Sequence, residues 1–353
     1  MAFALSEFYQ QTKSARKIIV VDFGFLGDSV HFIPALWEIK RNYPQAEIHT
    51  LSAELGAEVL KLAPCVDRAW GFPLGPKSPP WWRGFGLLQK LRNEHFDLAI
   101  NFSGADRTIF VTRFMGAKWR VGQQGARKHF WAKWLIPHWV PRQTSDVIVS
   151  EQRRRMLGTL GMSLQAPRFD LTIPDDAKHW AAHNMPGRCI HFSLNASSCV
   201  KEWPVEHWIE LANKLLTADV DLNIVATASA KQREQERVKA FVDGVQSKRV
   251  IAITSATIPQ LAALLQRCSL QVGGDSGVSH LAYAVGTPTF SFLRDYPAIK
   301  DWMLTGEKHR QIVVACDCIN RRENVCELSG TSKCLAAITP DHATAIIRKQ
   351  LAR

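Results

Sequence analysis

The 353-residue sequence has no apolar run close to the roughly 20 residues that a helix needs to cross a bilayer. Met1 to Lys17 has no charged segment followed by an apolar stretch of the kind that directs secretion. Short internal repeats and low-complexity tracts are missing too, which excludes solenoid, fibrous and disordered classes. A cytosolic globular protein is expected. Acid is also scarce: 32 Asp and Glu stand against 44 Lys and Arg, a formal charge of +12. Such a charge either serves solubility alone or predicts anionic partners: phosphorylated ligands, nucleic acid or an acidic membrane face. No established nucleic-acid-binding motif occurs, so nucleic acid is set aside. The glycines after the first strand do not follow the G-x-G-x-x-G spacing, which argues against a nicotinamide-dependent dehydrogenase.

What is present is an alternation of buried strands and amphipathic helices in a chain that is 46% apolar. Strands are expected at Lys17 to Phe23, Glu47 to Leu51 and Phe96 to Phe102. After a connection at Arg168 to Pro174 the pattern restarts, with strands at Cys189 to Ser193, Asp221 to Ala226, Arg249 to Ile253, Ser269 to Val272 and Thr289 to Leu293. This predicts an α/β fold of two doubly wound parallel sheets, with ligands in the cleft between two similar halves. Residues 76–83, with Pro79, Pro80, Trp81 and Trp82, read as an irregular loop, either plain surface or an overhang above a site.

The most informative stretch runs from Val272 to Leu293. Asp275 and Ser276 are good helix caps, Val278, Leu281, Ala282 and Val285 recur at helical spacing, and Gly286 and Pro288 stop the helix. A strand-turn-helix of this kind aims free backbone N–H groups at whatever precedes the helix. Gly274 and Gly277 admit close approach, so an anion such as a phosphate suits it, with His280 as a further donor. The local pattern alone describes an ordinary turn of an α/β sheet equally well. A related turn, Gly24 to Ser29, follows the first strand and puts Asp28 at a helix N-terminus, as a cap or as a functional carboxylate.

From Arg107 to Arg155, basic residues including Arg113, Lys118, Arg120, Arg127, Lys128, Lys133 and Arg142 face only Asp146 and Glu151, and Trp119, Trp131, Trp134 and Trp139 are interleaved with them. A phosphorylated, carbohydrate-bearing partner fits both residue types. Cys65, Cys189, Cys199 and Cys268 stand singly and read as reduced thiols. Cys316, Cys318, Cys326 and Cys334 instead cluster within twenty residues, as a zinc or iron site or as docked thiols.

The stretch Gly274 to Pro288 resembles the nucleotide-binding signature of the bacterial ADP-heptose:lipopolysaccharide heptosyltransferases, glycosyltransferase family 9. Three further segments resemble that family in the same order: Gly24 to Leu36, Asn195 to Pro204 with its Lys and Trp-Pro, and Ser255 to Cys268. The resemblance implies a GT-B fold: an acceptor-binding Rossmann-like domain over residues 1–170 facing a nucleotide-sugar domain over 171–338, with helix 339–353 returning to the first. It implies Asp28 as general base. Ser197, Ser198 and Lys201 would hold the diphosphate; Asp275, Ser276, Gly277 and His280 would meet the donor sugar and phosphates. Glu234 would take the ribose hydroxyls, with Glu236 as the alternative, and Arg120, Arg127 and Lys128 would meet the acceptor.

The implied reaction is inverting transfer of heptose from ADP-heptose to a phosphorylated glycolipid, at the cytosolic face of the inner membrane in peripheral contact with it. Lys201 and the helix termini cover the phosphates, so no cofactor is expected at the reaction centre. A branch that heptosylates autotransporter proteins carries cysteine-bound iron, so Cys316, Cys318, Cys326 and Cys334 also raise a protein acceptor and a structural zinc or iron. A sugar-nucleotide epimerase on the same fold is the other alternative.

Overall fold

The computed structural model describes residues 4–74, 84–125, 130–143, 146–185, 187–320, 326 and 332–352. The chain divides into two compact units, Met1–Thr172 and Ile173–Arg353. The first holds six strands: β1 (Lys17–Val21), β2 (Glu47–Ala53), β3 (Arg68–Phe72), β4 (Leu98–Asn101), β5 (Trp119–Gln123) and β6 (His138–Val140). All pair in parallel, in the order β3-β2-β1-β4-β5-β6. Ile18, Ile19, Val20 and Val21 are fully buried, as a strand covered on both faces requires.

The second unit repeats the plan with β7 (Arg188–Ser193), β8 (Leu222–Thr227), β9 (Val250–Ile253), β10 (Leu270–Gly274), β11 (Thr289–Asp295) and β12 (His309–Ala315). Its order is β12-β11-β10-β7-β8-β9, the same winding read from the other edge. In each sheet the first strand lies between two neighbours whose connections run in opposite directions: β1 between β2 and β4, β7 between β8 and β10. The loops leaving the paired strands diverge there and open a crevice at their C-terminal ends. Each unit therefore has one switch point, and the segments singled out in the sequence sit on them.

Four strands escape the sequence reading: β3, β5, β6 and β12. They lie at or next to sheet edges and are only partly buried, so the continuous apolar run that marks a central strand is absent. Two of them fall in the basic, Trp-bearing stretch, whose Trp119 and Trp139 are strand residues.

The C-terminal helix Pro340–Leu351 is capped by Thr339, whose Oγ1 accepts from the His342 N–H at 3.3 Å. The family resemblance placed it on the first domain. Its apolar residues Ala343 and Ile347 are instead buried in the core of the second unit, against helix Val205–Ala218. Gln350 adds donations to the Thr289 and Lys308 carbonyls at 3.2 and 2.8 Å. No described helix is long and apolar enough to cross a membrane.

Candidate active site

At the first switch point the chain leaves β1 through Asp22, whose Oδ1 accepts from the Gly24 N–H at 3.1 Å. Asp28 lies in the first turn of helix Leu26–Asn42, and its Oδ2 accepts from the Phe25 N–H at 2.8 Å. A Cβ on Gly24 would fall 2.2 Å from the Asp28 Cβ, so only glycine lets the carboxylate fold back here. Asp28 is thus a helix cap, and it remains 23% exposed. From helix Val149–Thr159, Arg153 bonds the Asp22 carboxylate and the Asp28 carbonyl oxygen, and reaches within 3.5 Å of Asp28 Oδ1. Its guanidinium rests over the Phe32 ring at 5.3 Å. This holds the Asp28 turn from the side that the helix backbone leaves open.

Arg153 also lines a polar cavity of about 280 Å³ with Arg142, Ser103, Gln123 and Gln152. Two guanidiniums among amides and a hydroxyl suit an anionic, hydroxylated guest. Of the cations expected to meet the acceptor, Arg120 donates instead to the carbonyls of Leu135 and Ala117, at 2.9 and 2.6 Å. Arg127 and Lys128, like loop 76–83, lie outside the described residues.

At the second switch point Lys201 Nζ lies 2.6 Å from Asp275 Oδ2. The Tyr296 hydroxyl donates to the same oxygen at 3.0 Å, and His280 Nε2 lies 4.0 Å from Oδ1. Burial pushes the Asp275 carboxyl up; the Lys201 ammonium, His280 and the Tyr296 hydroxyl outweigh that and hold it below the usual carboxylate range. Burial, then the neighbouring Asp275, raises the Tyr296 phenol, which keeps it a donor. Ser276 stands at the N-cap position of helix Gly277–Ala284, with its Oγ 3.3 Å from Ser279 Oγ and 3.5 Å from Ser193 Oγ rather than on the helix N–H groups. Gly274 is required for packing, since a Cβ there would meet the Lys201 carbonyl at 2.8 Å.

The loop after β7 is pinned from below. Glu202 accepts from the Ala196 N–H at 2.9 Å and from Arg233 at 2.7 Å, and Trp203 stacks on Phe292 at 4.4 Å while its Nε1–H donates to the Ile338 carbonyl. Ser197 and Ser198 ride on this loop, Ser197 exposed and Ser198 half-buried. Glu234 is nearly buried and accepts from the Ser229 N–H at 3.1 Å; burial raises its pKa, but Ser229 and Lys231 bring it below the usual value. Glu236 is exposed and accepts from Gln232, so the two carboxylates stand in different surroundings. The chain's Asp-x-Asp pair, Asp219 and Asp221, precedes β8 at the N-terminal end of the strand, with Asp219 paired to Arg188 at 2.6 Å.

Residues 85–330 match the model of glycosyltransferase family 9, the heptosyltransferases. The chain belongs to glycosyltransferase family 9. Among curated relatives, this glycosyltransferase is 23% identical over 280 residues to the lipopolysaccharide core heptosyltransferase OpsX of Haemophilus influenzae, covering 78% of each chain. It is 24% identical to lipopolysaccharide heptosyltransferase 1 of Escherichia coli K12, over 89% of this chain and 96% of that one. Among solved structures, E. coli ADP-heptose lps heptosyltransferase II superposes with a TM-score of 0.75 at 20% identity, covering 95% of this chain and 98% of that one. With two parallel sheets of matching order, that likeness establishes the GT-B fold.

Sequence reasoning missed Asp22, Arg153, Arg294 and Tyr296 as parts of these two sites. Asp22 and Tyr296 each lie just past a strand's C-terminal end, which is the signal that would have found them. Arg153 carries no local signal, because its partners lie more than a hundred residues away.

Asp275 stays ionised in the folded enzyme chiefly through Lys201. A depressed carboxylate pKa contributes stability that is present above the unfolded value and lost as pH falls through the folded one. In Lys201→Met the carboxylate is left buried without its cation, with an expected loss of up to about 3 kcal/mol at neutral pH. Thermal melts from pH 7 to pH 3 are expected to show that gap narrowing as Asp275 protonates. A gap that does not depend on pH would mean that the pair does not govern Asp275.

Proposed function

We propose that this glycosyltransferase moves heptose from ADP-heptose to the inner core of lipopolysaccharide, with inversion at the anomeric carbon. The observation that carries the reading is the array of Lys201, Asp275, Tyr296 and His280 at the second unit's switch point, a preset cation beside a helix N-terminus. The diphosphate sits there, bonded by the Lys201 ammonium and by N–H groups of the loop carrying Ser197 and Ser198 and of the turn at Ser276 and Gly277. Glu234 takes the ribose hydroxyls, and Asp275 with His280 meets the sugar. As the bond from the anomeric carbon to the phosphate oxygen breaks, the negative charge that grows on the departing ADP falls on groups already oriented for it. Asp28 accepts the proton of the acceptor hydroxyl while that oxygen bonds the anomeric carbon. One base and one departure make a single displacement. Lys201 and the backbone donors do the electrostatic work, so the reaction needs no metal at its centre.

The acceptor on this reading is a phosphorylated glycolipid, whose anionic groups suit Arg142 and Arg153 in the first unit's cavity. Contact with the membrane surface would be made by Phe110, Phe130 and Trp134, which are 56%, 83% and 81% exposed. Arg107, Arg113 and Lys133 lie exposed among them, the pairing that suits an anionic lipid interface.

Incubation with ADP-heptose and heptose-free lipopolysaccharide is expected to add one heptose to the glycolipid, read by mass. Asp28→Asn is expected to lower turnover by about 100- to 10,000-fold while leaving ADP-induced thermal stabilisation in place. Near-normal turnover in that variant would remove Asp28 as the base. Heptosylated protein in place of glycolipid would move the acceptor to protein, and interconverted sugar nucleotide without acceptor would indicate an epimerase. In co-sedimentation with anionic vesicles, Phe130→Ser with Trp134→Ser is expected to lose binding; unchanged sedimentation would place the membrane contact elsewhere.

A further inference from the structure

Beyond β12 the chain carries four cysteines that the transfer reaction does not use. Cys316 Sγ lies 3.4 Å from Cys318 Sγ, which lies 3.9 Å from Cys326 Sγ. Cys316 and Cys326 are 1% and 4% exposed, and none of these cysteines forms a disulfide. Both separations are far beyond a sulfur–sulfur bond. They bracket the edge of a tetrahedron of sulfurs: at about 2.3 Å from a central ion, thiolates stand about 3.8 Å apart. Cys334, on the short helix Lys333–Ala336 that packs on β11 and β12, has its Sγ 3.4 Å from Ser332 Oγ. Among the described residues no three such ligands already enclose an ion position, and closure requires Cys334 to exchange its Ser332 contact for the ion.

Two observations separate a metal centre from thiols that are merely packed. From 316 to 334 the sequence holds four cysteines and only three large apolar residues, Ile319, Val325 and Leu328, a composition that favours a metal over an apolar cluster. The Arg294 guanidinium lies 3.8 Å from Cys316 Sγ, a partner that suits a thiolate better than an apolar thiol. Arg294 also stands over the Tyr296 ring at 5.9 Å, and Tyr296 donates to Asp275. Leu335, next to Cys334, lines the same pocket as Lys201, Asp275 and Arg294.

We propose that Cys316, Cys318, Cys326 and Cys334 bind one thiolate-preferring metal ion of the zinc or iron class, and that this centre braces the wall of the donor pocket. On binding, each S–H proton leaves to solvent as its sulfur bonds the ion, with no change of oxidation state. The bracing rests on the donor reading above; the metal site does not.

Elemental analysis of enzyme purified without added metal is expected to give about one equivalent of zinc or iron and to decide between the two. Stripped enzyme refilled with Co²⁺ is expected to show thiolate-to-cobalt absorption, lost in Cys318→Ser and kept in Cys65→Ser. If Cys318→Ser does not fold, the wild-type stoichiometry and cobalt spectrum decide alone. Metal-free enzyme without cobalt–thiolate absorption, its melting unmoved by Zn²⁺ or Co²⁺, would overturn the site. Chelation is expected to weaken ADP binding several-fold. Metal bound with ADP affinity unchanged would overturn the bracing, and metal bound with no ADP binding at all would overturn the donor reading instead.

Discussion

A largely buried carboxylate at the C-terminal end of β10 is the constraint on which the proposed donor site depends. Asp275 is 13% exposed, and burial by itself would favour its neutral form. Lys201 at 2.6 Å, the Tyr296 hydroxyl at 3.0 Å and His280 nearby reverse that preference. Ionised, Asp275 in turn fixes the one cation that the loop after β7 offers at this edge. A lysine on a four-carbon stem would otherwise sample many positions, and a diphosphate would have to immobilise it. On the proposed reading, the ion pair does before binding what the leaving group needs at the transition state. The Glu202–Arg233 pair and the Trp203–Phe292 stack hold the loop that carries Lys201.

The first unit meets the same topology with a different balance of charge. Asp28 folds back onto the Phe25 N–H, at a place where only a glycine at 24 leaves room, and Arg153 ties that turn to Asp22. The turn after β1 thus presents a partly exposed carboxylate and the second unit's switch point an anchored cation, which on the proposed reading are the base and the anion site of the displacement. Arg142 and Arg153 place part of the net positive charge in the first unit's polar cavity, where the proposed acceptor is anionic.

Much of this was legible in the sequence. The central strands β1 and β4 are short, largely apolar runs, β7, β10 and β11 mix buried apolar residues with a few polar ones, and the turns at Gly24 and Gly274 carry their glycines, caps and charges within a few residues. Lys201, Asp275 and His280, singled out from separate motifs, lie together in the structure. Edge strands such as β3 and β12 are half-exposed and lack that run, and the Trp-bearing stretch hid β5 and β6 behind its charge. For Arg120 the sequence shows a charge but not the carbonyls of Ala117 and Leu135 to which it donates. For the C-terminal helix, an apolar face at Ala343 and Ile347 says that a helix docks, not on what; the structure buries that face in the second unit's core.

The central claim is that the second unit's switch point holds the donor's diphosphate. Hydrogen–deuterium exchange of the whole enzyme, with and without saturating ADP, tests it most directly. Slower exchange is expected in residues 194–204, 229–236 and 274–282, with residues 22–32 unchanged. Protection confined to residues 22–32, with the second unit's loops unaffected, would contradict the account.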